Sequence, residues 1–227
     1  MTKRELIYTV FEKLKINSDD MDITEELVSF LIDSKRAMLL KQRFDAKPWA
    51  MPVETKQELC LSLEVASVIN GYPCFGRILR TTEALPSSIK IKGKEGPMTV
   101  RKYDSSAIHV NIIPLERIPF IGHNHFTAQM IYGTVDYDNR FYLVSGSNKL
   151  KLMTEIKIAD IFENPDDANA LKCSAADETE CEVWDRAYPV ELSMVDDIVK
   201  LVVQDLSRTL SIPDDSTNDA DGERKGQ

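Results

Sequence analysis

The chain has 227 residues, with 28 basic and 37 acidic side chains and a formal net charge of −9; 43% of it is apolar and 29% charged. That balance describes an ordinary globular chain of one or two domains, long enough to bury a core without staples. It argues against a membrane protein, since no apolar run approaches roughly 20 residues, and against a nucleic-acid clamp, which needs clustered Lys and Arg.

The opening residues Thr2, Lys3, Arg4, Glu5 and Leu6 bring an acid at once and no long apolar segment, which argues against a secretory signal. Residues 3–15 read as a helix, with Leu6, Ile7, Val10, Phe11 and Leu14 on one stripe. A break follows at 17–20. Asp22 with Glu25 resembles a capping box, with Thr24 as a rival N-cap. The second helix is expected to run to about Phe44, with Ile23, Leu27, Phe30, Leu31 and Met38 inward and Lys35, Arg36, Lys41 and Arg43 toward its negative end. Pro48 and Pro52 close the helical part.

The texture then turns to a period of two. Leu59, Leu61, Leu63 and Val65 alternate with Cys60, Ser62 and Glu64, which marks a strand. A short strand is expected over 77–82. Hairpins are expected between 89–92 and 99–103, and between 126–135 and 140–144, with one or two further strands in 150–162. Pro189 sits near the first turn of a last helix, whose stripe is Val195, Ile198, Val199, Val202 and Leu206. Pro213 ends it, and 211–227 reads as a disordered acidic tail. The fold class is α+β: a helical part over 1–50, a mostly antiparallel β-rich domain over 51–187, and a helix over 188–210 that rejoins the helical part.

Charge is segregated along the chain. Residues 77–117 hold eight bases and four acids, whereas 118–227 hold ten bases and 21 acids. Either these are two solvated faces, or they are complementary surfaces that meet head to tail between copies. The second reading nominates a basic interface set of Lys35, Arg36, Lys41, Arg43, Trp49, Arg77, Arg80, Lys90, Lys92, Arg101 and Lys102. The acidic run Glu163, Asp166, Asp167, Asp177, Glu178, Glu180, Glu182 and Asp185 lacks the glycine and alternating oxygens of a calcium loop. It is read as a surface facing a neighbour or a DNA channel.

Catalytic signatures are scarce. There is no phosphate-binding glycine loop, no nucleophile elbow and no H-E-x-x-H. His123 and His125 flank Asn124 and could serve a metal site or a His-Asn-His nuclease, but no further ligand stands at a workable spacing. No catalytic residue, metal or cofactor is assigned. The four cysteines, Cys60, Cys74, Cys173 and Cys181, form no C-x-x-C pair and are expected as thiols in a reducing cytoplasm.

Several segments, taken in order, suggest a family. Residues 1–7 open a short helix, a second helix closes on Lys41, Gln42, Arg43 and Phe44, and Pro114, Glu116, Arg117, Gly122 and Asn124 space a P-x-E-R-…-G-x-N segment. Ile161, Phe162, Glu163, Asn164, Pro165 and Ala168 follow an I-F-E-N-P-x-x-A pattern, and 181–189 and 213–221 continue in order. In these the chain resembles the ring proteins (neck, or tail-tubular) of crAss-like bacteriophages, although Ile118 and Pro119 stand where that pattern has an aromatic residue. The resemblance implies a structural virion protein without catalysis. It would form a dodecameric connector ring between portal and tail, in contact with the portal and other ring or tail proteins. Genomic DNA would pass through the ring without specific binding, and no membrane is involved. The alternatives carried beside it are a small nuclease using His123 and His125 and a cytosolic protein-binding module.

Overall fold

A computed structural model describes residues 1–15, 23–45, 47, 52–69, 76–91, 99–171, 173 and 183–210. Helix α1 (Lys3–Lys15) begins in a reciprocal cap: the Glu5 backbone N–H donates to Thr2 Oγ1 at 3.2 Å, and the Thr2 N–H to Glu5 Oε2 at 2.9 Å. Helix α2 (Glu25–Asp45) is capped by Thr24, whose Oγ1 accepts from the Leu27 N–H at 3.3 Å; Asp22 lies outside the described residues. Eight strands follow: β1 (Gln57–Ala66), β2 (Arg77–Thr81), β3 (Thr99–Lys102), β4 (Ser105–His109), β5 (Asn111–Ile112), β6 (Tyr132–Val135), β7 (Phe141–Ser145) and β8 (Glu155–Asp160). A short helix α3 (Pro165–Asn169) is capped by the Asn164 side chain, and α4 (Leu192–Leu210) follows. The class is α+β, with terminal helices around a mostly antiparallel sheet.

The sheet order is β4-β3-β8-β1-β2-β7-β6-β5. Its two outermost strands, β4 and β5, are separated in sequence by Val110 alone, so the sheet rolls until its edges lie side by side, close to a barrel. Ile108 and Ile112, one from each edge, accordingly pack on the same interior as Leu59, Leu61, Phe141, Leu143, Ile156 and Ile158. Gly133 permits the closure: a Cβ there would stand 2.3 Å from the Phe141 ring and 2.7 Å from the Val110 side chain. Every residue of β7 is buried, because Ile78, Tyr142 and Val144 face outward under Ile69 and Ile118 of covering loops. The β6–β7 turn uses Asn139 at φ 57°, a conformation asparagine tolerates.

Two sequence expectations for strands are corrected. Segment 89–91 does not pair with β3: Ile89 donates to Ile161 O at 2.9 Å, while β3 lies between β4 and β8. Its apolar Ile89 and Ile91 serve the helical core instead. The second hairpin forms as β6–β7, but it starts at Tyr132, because 124–130 is held in tight turns by Asn124. The last helix also starts later than Pro189 suggested, at Leu192.

The stripe of α1 (Leu6, Ile7, Val10, Leu14) and that of α4 (Ile198, Val199, Val202, Leu206) are buried together against α2. Each such aliphatic stabilises the fold by roughly 1.5–3 kcal/mol when removed from water. The phase of α2 differs in part from expectation: of the expected inward set, Ile23 and Leu31 pack partly buried against this core. Val28, Ile32, Leu40 and Phe44 face inward, while Leu27, Phe30 and Met38 are exposed.

The reason is Arg36, which is fully buried. Its Nε donates to Pro189 O at 2.8 Å, Nη1 to Phe162 O at 2.8 Å and Nη2 to Thr55 O at 3.5 Å, and the guanidinium lies 5.7 Å from the centre of the Tyr188 ring. Arg36 is therefore withdrawn from the interface set. It joins α2 to the segments before β1, after β8 and before α4. Beside it, Lys3 Nζ donates to Asp33 Oδ2 at 2.7 Å and to Asp166 Oδ2 at 2.6 Å, and the Tyr188 hydroxyl donates to Asp33 Oδ1 at 2.7 Å. Burial pushes the Asp33 carboxyl up despite Lys3, raises the Tyr188 phenol well above its ordinary value, and lowers the Arg36 guanidinium.

The cysteine expectation is also corrected. Cys60 of β1 and Cys173 are joined in a disulfide across 113 positions of sequence. The adjacent backbone already meets, the Cys60 N–H donating to Leu171 O at 3.0 Å, which brings two scattered cysteines into range where spacing gave no hint. Cys74 and Cys181 lie outside the described residues.

Two outcomes test these contacts. Arg36→Met removes every donor from three buried carbonyls, each costing about 1–3 kcal/mol when left unsatisfied; a loss of at least about 2 kcal/mol is expected in denaturant titration, with Arg36→Lys intermediate. A change below about 0.5 kcal/mol would mean the junction is held elsewhere. Alkylation in denaturant without reductant should leave Cys60 and Cys173 unmodified and in one linked peptide pair; full alkylation of both would show free thiols.

Candidate assembly surfaces

The structure brings few of the sequence-nominated charges together as a free surface. Lys35 pairs with Asp205 of α4, and Arg43 with Glu191 at 3.1 Å and with Ser193 Oγ at 3.1 Å. Arg80 pairs with Glu64 at 2.6 Å, Arg101 with Glu58 at 3.2 Å, and Lys102 with Asp104 at 3.7 Å. Lys41, Arg77 and Lys90 are exposed and make no ion pair among the described residues. Trp49 and Lys92 lie outside them.

Among the acids, Asp166 is held by Lys3, and Asp185 by Arg4 at 2.7 Å. Glu163 and Asp167 are exposed. Asp177, Glu178, Glu180 and Glu182 lie outside the described residues. Much of the charge segregation is thus used within the subunit. Bases of α1 and α2 meet acids of the C-terminal third, drawing the two ends of the chain into one bundle. Exposed pairs of this kind contribute little each, about 0–1 kcal/mol, but they favour one arrangement of helices over others.

The histidine loop is a surface feature. His123 Nε2 lies 3.2 Å from Pro119 O, and His125 meets the Phe126 ring edge-on at 5.5 Å between centres. Both histidines are exposed. Among the described residues no three His, Cys, Asp or Glu side chains converge as metal ligands would. A cleft of about 670 Å³ opens between 85–91, 113–116 and 134–139; Glu116, Asp136 and Glu163 line it with Lys90. It holds no paired nucleophile and base.

The exposed groups that sequence reasoning missed are apolar. Phe30 is 67% exposed on α2, Phe126 81% exposed in the histidine loop and Leu152 70% exposed before β8. Phe30 was hidden by its place in a credible inward stripe. Phe126 and Leu152 fell inside the strands expected over 126–135 and 150–162, whereas Phe126 sits in a turn and Leu152 ends a 3₁₀ turn.

Residues 5–224 match a family model described as phage tail ring protein 2. The chain is also similar to Ring protein 2 of Bacteroides phage crAss001, at 31% identity over 221 residues, covering 97% of this chain and 96% of that protein.

The histidine loop gives a direct check. The double variant His123→Ala/His125→Ala is expected to keep its stability within about 0.5 kcal/mol of the parent, the usual range for exposed substitutions, with an unchanged circular dichroism spectrum. A loss several times larger would show that the loop organises the fold.

Proposed function

The chain belongs to the phage tail ring protein 2 family of crAss-like phages, and we propose that this structural virion protein forms a closed connector ring between portal and tail, through which the genome passes. The observation that carries the reading is the family match, which spans both the helical bundle and the β domain. A ring subunit has to be a rigid block with outward-facing contact surfaces. This chain supplies one: a nearly closed barrel locked to a three-helix bundle by buried polar contacts.

The finer assignments belong to the same proposal. Copies are related by rotation through heterologous contacts, in which two different faces meet, and twelve copies is the number that the resemblance noted from sequence implies. The portal and the other ring or tail proteins are the axial partners. The bore is lined by acidic or mixed side chains and holds DNA weakly. Each phosphate neutralised by Lys or Arg releases counterions and tightens the grip, which would retard ejection. Glu163 and Asp167, exposed and unpaired among the described residues, suit such a wall. No catalytic role is assigned to any residue.

Native mass measurement of the assembled protein should give a single closed multiple of the subunit, and imaging of virions should place it in the neck. Rings titrated with duplex DNA at about 0.15 M salt should bind no more tightly than the roughly 10⁻⁴–10⁻⁶ M of non-specific binders. Tight, steeply salt-dependent binding would replace the passive channel with a clamp.

A further inference from the structure

Seven of the exposed apolar side chains form two groups at opposite ends of the subunit, while others, among them Val53, Phe120, Tyr137 and Leu192, lie elsewhere on the surface. The first pole is a stripe on α2. At 100° per residue, Leu27, Phe30, Ser34 and Met38 lie between about 120° and 200° from Arg36 on the helix wheel. Arg36 points at the carbonyls of Thr55 and Phe162, which flank the start of β1 and the end of β8. The stripe therefore faces directly away from the junction with the barrel.

The second pole is the far end of the barrel. Strand β1 runs away from the junction to Ala66, where β2 begins at Arg77, β7 ends at Ser145 and β8 begins at Glu155. Met130 is tied there through its carbonyl to Ser145 Oγ at 2.9 Å, and the Phe126 loop through Ala128 O to the Gly146 N–H at 3.3 Å. Leu152 precedes the Thr154 carbonyl that accepts from Leu63 at 2.7 Å, and Tyr103 donates its N–H to Glu155 O at 3.3 Å. Phe126, Met130, Leu152 and Tyr103 are all exposed at this end.

Resting on the ring reading above, we propose that these two poles are the two halves of the subunit interface: the α2 stripe of one copy lies across the open barrel end of the next. The occupant is a second copy of this chain because a closed ring requires two different, mutually complementary faces on each subunit, and charge matches them. Exposed Glu26 flanks the start of the stripe and exposed Lys41 its end. Around the barrel end, exposed Arg77 starts β2, exposed Lys149 and Lys151 lie in the turn between β7 and β8, and exposed Asp104 and Glu155 follow β3 and start β8. The helix is oriented with its first turn over the bases and Lys41 over the acids. Such contiguous apolar surfaces rimmed by charge are what subunit contacts cover. The sheet rolls nearly shut, with its two outermost strands adjacent in the chain, so the contact proposed here passes through side chains.

The test uses two double variants of the full chain: Leu27→Asp/Phe30→Asp on the helix and Phe126→Asp/Leu152→Asp on the barrel end. All four side chains are exposed, so circular dichroism and thermal melting should match the parent. Each variant alone is expected to run as a monomer in native mass measurement where the parent forms closed oligomers. An equal mixture should give dimers and nothing larger, because each retains the face the other has lost. Rings from either variant alone, rings from the mixture, or a mixture that stays monomeric would overturn the proposal. If the parent and each variant alone all form rings, the ring reading stands and the poles serve another virion protein. If the parent never assembles, the ring reading falls and takes this interface with it.

Discussion

A cation without water has to be surrounded by acceptors, and that requirement at Arg36 organises the rest of the molecule. Its guanidinium reaches carbonyl oxygens from three separate segments, before β1, after β8 and before α4. None of these carbonyls is a regular sheet partner, so the arginine supplies the hydrogen bonds that the backbone lacks at the seam. A planar fork with donors on three nitrogens spans separated carbonyls, whereas an ammonium carries its three donors on one compact nitrogen. Burial lowers the Arg36 value, yet the group stays charged; the cost of burying it is offset by its acceptors and by the Tyr188 ring. Lys3, Asp33 and Asp166 repeat the device one layer out. Helical bundle and barrel are thereby fixed in one relative orientation, and half-satisfied alternatives would leave charges stranded.

The same constraint explains what lies outside. Helix α2 carries two apolar faces, and only one can meet the bundle. Because Arg36 must look at the seam, Val28, Ile32 and Leu40 go in with it and Leu27, Phe30 and Met38 stay out. The buried face contains an arginine, and the exposed face is the more regular one. A stability requirement at one residue thus leaves an apolar stripe on the opposite side of the same helix.

This inversion also marks where the sequence stops being legible. The stripes of α1 and α4 could be read directly, since each has a single apolar face and periodicity alone decides it. For α2 the usual rule rejects any stripe interrupted by Arg36, and so selects the wrong one. Strand β1 was legible from alternation, but β7 is buried on both faces and shows none. The pairing of Cys60 with Cys173 depends on α3 folding back on β1, where the Gln57 side chain donates to Pro165 O at 3.0 Å; no local pattern encodes that return. The charge segregation was visible, but its use within the subunit was not, because it depends on the bundle bringing residues 3, 4, 35 and 43 to residues 166, 185, 205 and 191.

The near-closure of the barrel limits how copies can meet. An open sheet of eight strands would present two rows of unpaired backbone groups, and copies could join by simple strand addition. Here Val110 turns β4 directly into β5, so the potential edges neighbour one another and Gly133 gives that corner room. Backbone pairing carries little sequence specificity, whereas side-chain surfaces can discriminate between a copy of the same chain and the other proteins of the virion. A subunit that conceals its strand edges and leaves defined apolar poles can associate strongly only where those poles meet a matching surface. That limits uncontrolled polymerisation while still permitting a closed ring.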